Sequence, residues 1–300
     1  MVASNSPFVR SLAFAFGCLT LLSSAYGSTR RDDRSDSQYL AYGSQFQAVG
    51  RVHVDGSWSG SGTLVADEWV LTAAHVLDRF AGSARVELGG QSYSVVEWVV
   101  NPGWNGDLFL GRDMTLAKLD RKVTGIDPIA LFEGSAVGKE ATIVGFGGTG
   151  TGSRGWNNAH DQRRRGATNT AEGGDFSLFG AEFVNTLVTD FDSPARDRNT
   201  LASLGSGAGP TDLEGNVVFG DSGGALLVRD AESWKLAGVT SWMWNLGGGP
   251  LAGYGDLSGF AAVAGQRDWI LQTVPEPGGM LAMVVGAGAM VRSRRWAPAT

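Results

Sequence analysis

The chain has 300 residues, 43% of them hydrophobic, and a net charge of −6. That length supports one sizeable core or two small ones, and the acidic balance with no broad basic face argues against a nucleic-acid partner. The only cysteine, Cys18, lies in an N-terminal apolar run, which excludes cysteine-nucleophile, zinc-thiolate and thioredoxin-type chemistry in the folded part; no cofactor or metal is expected. With 45 glycines and 10 tryptophans, about twice the usual glycine share, the composition favours a turn-rich β protein.

Residues 1–27 have the layout of a secretory signal peptide. Arg10 supplies the positive start, residues 12–22 the apolar stretch, and Ala25-Tyr26-Gly27 the small residues before a cut expected after Gly27. Acylation of Cys18 is the weaker alternative, because the apolar run continues beyond it and Phe16 is bulky for such a site. Residues 28–45, with Arg30-Arg31-Asp32-Asp33-Arg34, read as a polar linker or pro-segment.

From residue 46 short β-prone runs alternate with glycine and polar turns. Strands are expected near 47–54, 60–65, 69–72, 85–88, 93–100, 115–119 and 141–145, then near 183–191, 224–228, 234–241 and 259–263, with a terminal helix over 265–273. Strands at this spacing without long intervening helices imply a sandwich or barrel. Residues 145–215 read as long loops edging a cleft. Within them Arg163-Arg164-Arg165 reads as a solvated loop, with an anion or self-cleavage site as the alternative, and Asp190, Asp192 and Asp197 as acidic turns, since their spacing fits no EF-hand loop.

Residues 273–300 form a tail. Pro275-Glu276-Pro277 precedes an apolar run over 278–291, too short for a comfortable membrane span, and Arg292, Arg294 and Arg295 follow. The arrangement resembles the PEP-CTERM sorting signal, in which an exosortase cuts at the Pro-Glu-Pro motif during export. A plain C-terminal membrane anchor is the alternative. Both imply transient membrane contact through the termini, export machinery as a partner, and a domain outside the cytoplasm, at the surface of a Gram-negative bacterium.

The chemistry centres on Gly220-Asp221-Ser222-Gly223-Gly224. A serine between glycines also fits the nucleophile elbow of α/β-hydrolases, whose order is serine, acid, histidine. The chain holds three histidines, His53, His75 and His160, and all precede Ser222, so that reading fails. His75 follows an apolar strand and a turn of small residues, Thr72-Ala73-Ala74, and Asp113 opens the strand that runs through Leu116-Ala117-Lys118-Leu119. His53 and His160 read as structural. With Gly220 to Gly224, these motifs resemble the trypsin-like (chymotrypsin-fold) serine endopeptidases over residues 46–272.

The resemblance implies two six-stranded antiparallel β-barrels with a short C-terminal helix. It implies Ser222 as nucleophile, His75 as general base and acid, and Asp113 as the group that orients the imidazole. The N–H groups of Gly220 and Ser222 would form the oxyanion hole. Thr240-Ser241-Trp242 would pair with an extended polypeptide substrate, with Ser241 near Asp113. Asn216, six residues before Ser222, would floor the primary specificity pocket, with Met243 at its mouth, Ser258 on a wall and Phe260 near its base; a small or medium uncharged residue is expected there, not Arg or Lys. Val76 and Val218 stand where the family often has cysteines, Ala225 stands where a proline is common, and no Ile-Val-Gly-Gly-like start is present. In the family a freed N-terminus pairs with the acid before the nucleophile, here Asp221; the candidates for its cation are the Arg30–Arg34 segment or an amine freed by a cut near it. The competing expectation is a catalytically silent, surface-displayed binding protein on the same scaffold.

Overall fold

A computed structural model describes residues 28–78, 82–178, 181–204, 209–274 and 293–295. The expected signal peptide, and the sorting tail apart from residues 273–274 and 293–295, lie outside them. The chain begins with β1 (Ser28–Arg30), α1 (Asp36–Gly43), β2 (Val49–Val54), β3 (Ser57–Ala66), β4 (Trp69–Thr72), α2 (Ala74–Leu77), β5 (Ala84–Leu88), β6 (Gln91–Val100) and β7 (Thr115–Leu119). It continues with β8 (Glu140–Gly145), β9 (Thr149–Thr151), β10 (Gly155–Trp156), β11 (Arg165–Thr170), β12 (Phe176–Leu178), β13 (Ala181–Phe183) and β14 (Thr186–Asp190). The last elements are β15 (Gly215–Asn216), β16 (Ala225–Asp230), β17 (Ser233–Trp244), β18 (Leu257–Ala262), α3 (Arg267–Thr273) and β19 (Ser293–Arg295).

The first barrel is closed by β6, which pairs with β5 through its first half and with β7 through its second, completing the ring β5-β2-β3-β4-β7-β6. Its β2–β3 hairpin turns at Asp55-Gly56, both with positive φ, the turn that matches strand twist. Val52, Leu64, Val70, Leu71, Val86 and Leu116 are buried in one apolar core around its strands, at 0–1% exposure. β19 adds to β6 on the outside, with Arg294 opposite Trp98.

The second unit is a six-stranded antiparallel sheet in the order β11-β8-β16-β17-β18-β14, curled into a half-barrel. Its seam is crossed by the Glu172 N–H to the Val188 carbonyl at 2.8 Å and by Asn169 Nδ2 to the Asp190 carbonyl at 2.7 Å. Two barrel units of six strands and a short terminal helix were expected; the first is a full barrel and the second half of one. α3 ends the domain and buries Ile270.

Three expectations about polar segments are corrected. Residues 28–45 are not a solvated linker. β1 lies between β9 and β15, and Tyr39 of α1 is fully buried. The Tyr39 hydroxyl donates to the Glu214 carbonyl at 2.7 Å and accepts from the Arg31 N–H at 3.1 Å, which binds the N-terminal segment to β15. In the stretch 163–165, Arg163 is exposed in a loop as expected, but Arg165 is not solvated: it opens β11 and is 1% exposed. Its guanidinium makes paired bonds to Asp36 (2.7 and 3.0 Å) and Asp161 (2.9 and 2.7 Å). Two carboxylates in bidentate geometry are what a buried arginine requires.

Asp190 and Asp192 are not exposed turns; both are at most 2% exposed, as is Glu214. Among the described residues no acidic or histidine cluster is arranged to hold a metal. Burial pushes Glu214 up to about 8 and Asp192 up to about 7. Glu172 is pushed up as well, first by burial and then by Asp190. For Glu214 and Asp192 the unfolded chain releases the proton near pH 4, while the folded one keeps it to pH 7–8. Their stabilising contribution is therefore complete below about pH 4 and lost as pH rises to about 8. The melting temperature of the folded domain is expected to fall between pH 5 and 8.5, and Glu214→Gln to flatten that fall; a profile that rises over this range contradicts the assignment.

Candidate active site

β4 runs into Ala73, whose extended backbone (φ −73°, ψ 144°) turns the chain into the one-turn helix α2. This leaves His75 half-exposed at the junction of the two units. Asp113, just before β7, is fully buried. Its Oδ1 accepts from the His75 backbone N–H at 2.9 Å, and its Oδ2 lies 2.7 Å from His75 Nδ1. Oδ2 also accepts from Ser241 Oγ at 2.6 Å. A carboxylate is an acceptor only, so the proton sits on Nδ1 and His75 Nε2 presents a lone pair outward. β7 of the first unit and β17 of the second thus meet on one side chain.

Ser222 is held against the same junction by its backbone. Its carbonyl accepts from the Ser61 N–H at 2.8 Å, and the next residue, Gly223, donates to the Thr240 carbonyl at 2.8 Å. A Cβ on Gly223 would lie 2.9 Å from Ala73 N and 2.1 Å from Thr72 Oγ1, so the loop lies directly on the strand end that carries His75. Ser222 Oγ makes no hydrogen bond among the described residues; such contacts in ligand-free sites are often long.

Gly220 has φ +93°, a backbone region open to glycine, and a Cβ there would lie 1.9 Å from the Trp58 ring. Its carbonyl is turned away to accept from Ser61 Oγ at 2.9 Å, and that hydroxyl also accepts from the Phe146 N–H at 3.0 Å. The N–H groups of Gly220 and Ser222 make no hydrogen bond among the described residues. Two unpaired donors flanking a serine can stabilise negative charge that develops on a bound carbonyl oxygen.

Asp221 points the other way and is fully buried. Its carboxylate accepts from Gly147 N–H (2.7 Å), Val218 N–H (3.0 Å) and Ser28 Oγ (3.1 Å). Burial pushes it up to about 6 against those bonds. The arginines of the N-terminal segment do not reach it: Arg31 pairs with Asp33, and Arg34 with Asp33 and Asp212. Ser28 is the N-terminal group that does.

Asn216 and Ser258 come together on β15 and β18 at 1% and 0% exposure, Ser258 Oγ bonding Asn216 Oδ1. Asn216 Nδ2 is buried without a partner. Register places Met243 opposite Ser258, Trp242 opposite Gly259 and Thr240 opposite Phe260. The Trp242 ring occupies the space a Cβ on Gly259 would need. β16 pairs with β17 only as far as Val239, so residues 241–244 carry an open strand edge beside Ser222. An extended peptide can pair with such an edge.

Residues 37–175 match the family model described as Trypsin. A stretch of 98 residues is 37% identical to chymotrypsin-like elastase family member 1 of the dog, Canis lupus familiaris; it covers 29% of this chain, which spans 33% of that relative. Neuropsin, a serine protease expressed in the limbic system of mouse brain, superposes with a TM-score of 0.56 at 20% identity, over 77% of this chain and 96% of neuropsin. The fold is that of the trypsin-like proteases, and residues 37–175 are similar to the Trypsin family.

In this trypsin-like fold the remaining histidines have other surroundings. His53 lies 3.2 Å from Arg85 and 3.3 Å from Glu87. His160 packs between Trp58 and Trp156 at 5.0 and 5.7 Å between ring centres. Both are pushed toward the neutral form, first by burial. Sequence reasoning missed Ser61, Trp58 and Gly147, which support the Ser222 loop from distant strands and carry no local motif. In Gly220→Ala the new Cβ meets Trp58 at a positive φ, and a loss of about 1–3 kcal/mol in urea unfolding is expected. Trp58→Ala in the same chain should recover part of that loss, because only the clash is relieved; strict additivity of the two changes would count against this packing.

Proposed function

We propose that the protein is an exported serine endopeptidase that cleaves polypeptides through an acyl-enzyme. The observation that carries the reading is the buried Asp113 carboxylate bonded to His75 Nδ1 and Ser241 Oγ, with the Ser222 loop backed onto the strand end before His75. Ser222 Oγ attacks the scissile carbonyl. His75 Nε2 takes the hydroxyl proton and returns it to the leaving amine. Asp113 holds the tautomer and stabilises the imidazolium. Gly220 and Ser222 N–H groups receive the oxyanion, a contribution typically worth about 10²–10³ in rate per donor. Water then hydrolyses the ester by the same relay.

The substrate lies extended along residues 241–244. The pocket floor at Asn216 and Ser258 carries no charge, and Met243 stands beside it, which favours a small or medium uncharged residue before the cut. The N-terminal leader and the Pro-Glu-Pro tail of this reading place the domain at or beyond the surface of a Gram-negative bacterium, after contact with export machinery and an exosortase. Among the described residues no helix is long and apolar enough to cross a membrane.

The unbonded Ser222 Oγ favours the second reading, a silent binding protein on this scaffold. One experiment separates them. A fluorophosphonate probe is expected to label the exported protein at Ser222 and to leave Ser222→Ala untouched. Asp113→Asn should lower kcat by on the order of 10⁴ while the fold is retained. No labelling of the folded, processed protein would favour the binding reading, and a cleavage profile dominated by Arg or Lys would overturn the pocket assignment.

A further inference from the structure

The strand β6 changes partners along its length. It pairs with β5 from Gln91 to Ser94 and with β7 from Val95 to Val100. The two neighbours take opposite edges, which is how the barrel closes. Beyond Ser94 the edge that served β5 is left for another strand, and β19 takes it. Ser293 stands opposite Val99, Arg294 opposite Trp98 and Arg295 opposite Glu97. An open sheet edge accepts one more extended segment in this way.

A cavity of about 490 Å³ opens where β5 begins and β6 passes from one partner to the other. Ala84 and Arg85 of β5, Val95, Val96 and Trp98 of β6, and His53 of β2 line it. Val96 is the residue that the β7 ladder skips, since Val95 stands opposite Leu119 and Glu97 opposite Lys118. A bulge of this kind leaves a residue unpaired, and Val96 is 47% exposed. An apolar side chain half in water at the rim of a cavity gains when a further apolar group covers it.

His53 adds one polar group to the wall. It is 6% exposed, its Nδ1 lies 3.2 Å from the Arg85 guanidinium, and burial favours the neutral ring. Arginine can only donate, so Nδ1 accepts and Nε2 carries the hydrogen. That Nε2 makes no hydrogen bond, although Glu87 lies 3.3 Å away. A backbone carbonyl entering the cavity can accept from it.

The sequence that follows β19 is Trp296-Ala297-Pro298-Ala299-Thr300. In continued register Trp296 falls opposite Val96, Ala297 opposite Val95 and Pro298 opposite Ser94, the residue at which Arg85 takes over the edge. A tryptophan brings a large apolar ring with one polar handle. A proline, lacking an N–H, suits the position at which pairing has to stop.

We propose that this cavity is the docking site of the chain's own residues 296–300, with the Trp296 ring seated against Val96 and Trp98. β19 sets the register, and docking holds the tail on the flank of the first barrel. A tail inserted in a membrane with its arginines on the far side cannot reach this edge. Docking and insertion of residues 278–291 therefore exclude each other, and the docked tail withholds Arg292, Arg294 and Arg295 from a membrane surface until Trp296 leaves. None of this depends on whether Ser222 is reactive.

The test uses the full chain with its only cysteine removed as Cys18→Ser, and a cysteine pair introduced as Val95→Cys with Ala297→Cys. Directly opposed residues of an antiparallel pair lie about 4.5–5.5 Å apart between Cα atoms, within the span of a disulfide. Oxidised glutathione is expected to close an intramolecular disulfide in this variant, seen as a monomer that has lost both thiols. Ala297→Cys with Val137→Cys, an exposed position before β8, should keep its thiols. Adding Trp296→Ala to the first pair should slow closure about tenfold, the low end of what burying such a side chain is worth. No closure, equal closure with Val137→Cys, a rate unchanged by Trp296→Ala, or a disulfide between two chains each overturns the proposal. A second measurement needs no cysteines: amide exchange over residues 96–99 should quicken in Trp296→Ala while the β2–β3 hairpin keeps its protection. Exchange that is unchanged over residues 96–99 overturns the docking.

Discussion

One buried carboxylate joins the two halves of the molecule. Asp113 has no exposed surface, and isolated there it would be costly. It is satisfied because the first unit delivers the His75 N–H and Nδ1 and the second delivers Ser241 Oγ. These contacts require the end of β4, the start of β7 and the middle of β17 to meet within a few ångströms. The rest of the fold can be understood as what brings these three chain segments together without a disulfide. The closed barrel fixes β4 against β7 in the register Thr72 opposite Thr115, and the β16–β17–β18 pairing fixes Ser241.

A second buried carboxylate, Asp221, does for the serine loop what Asp113 does for the histidine. The two differ in their partners. Asp113 is served by groups already in the barrels, whereas Asp221 draws one of its donors from the first described residue of the chain. Ser61 links the two halves from beneath: its N–H holds the Ser222 carbonyl and its hydroxyl holds the Gly220 carbonyl. The reactive loop is thus set by backbone contacts from β3, with the side chains His75 and Asp113 arranged around it. Such a division suits a site that must present N–H donors in fixed positions before a substrate arrives.

The strands were legible wherever apolar alternation is strong. Residues 69–72 and 115–119 were read at their observed bounds, because both are buried barrel strands with β-branched or apolar runs. The misreadings share one cause, polar residues inside the core. β11 reads Arg-Gly-Ala-Thr-Asn-Thr and looks like a loop, yet Arg165 is paired by Asp36, which is 129 positions away, and Asn169 ties a seam. Residues 28–45 look solvated for the same reason; their charges are paired and Tyr39 is inside. Composition reports polarity and cannot report pairing at long range. At the site, His75, Asp113 and Ser222 each sit in a short local pattern and could be found, whereas Ser61, Trp58 and Gly147 act only through three-dimensional proximity.

The central claim is that Ser222 becomes a covalent nucleophile in this setting. Rapid mixing of the processed protein with an activated ester of a small uncharged acyl group addresses it most directly, since acylation faster than deacylation produces a burst. The account predicts a burst of close to one equivalent of released alcohol per chain, absent in Ser222→Ala. A burst that persists in Ser222→Ala, or no turnover of the ester by folded, processed protein, would contradict it.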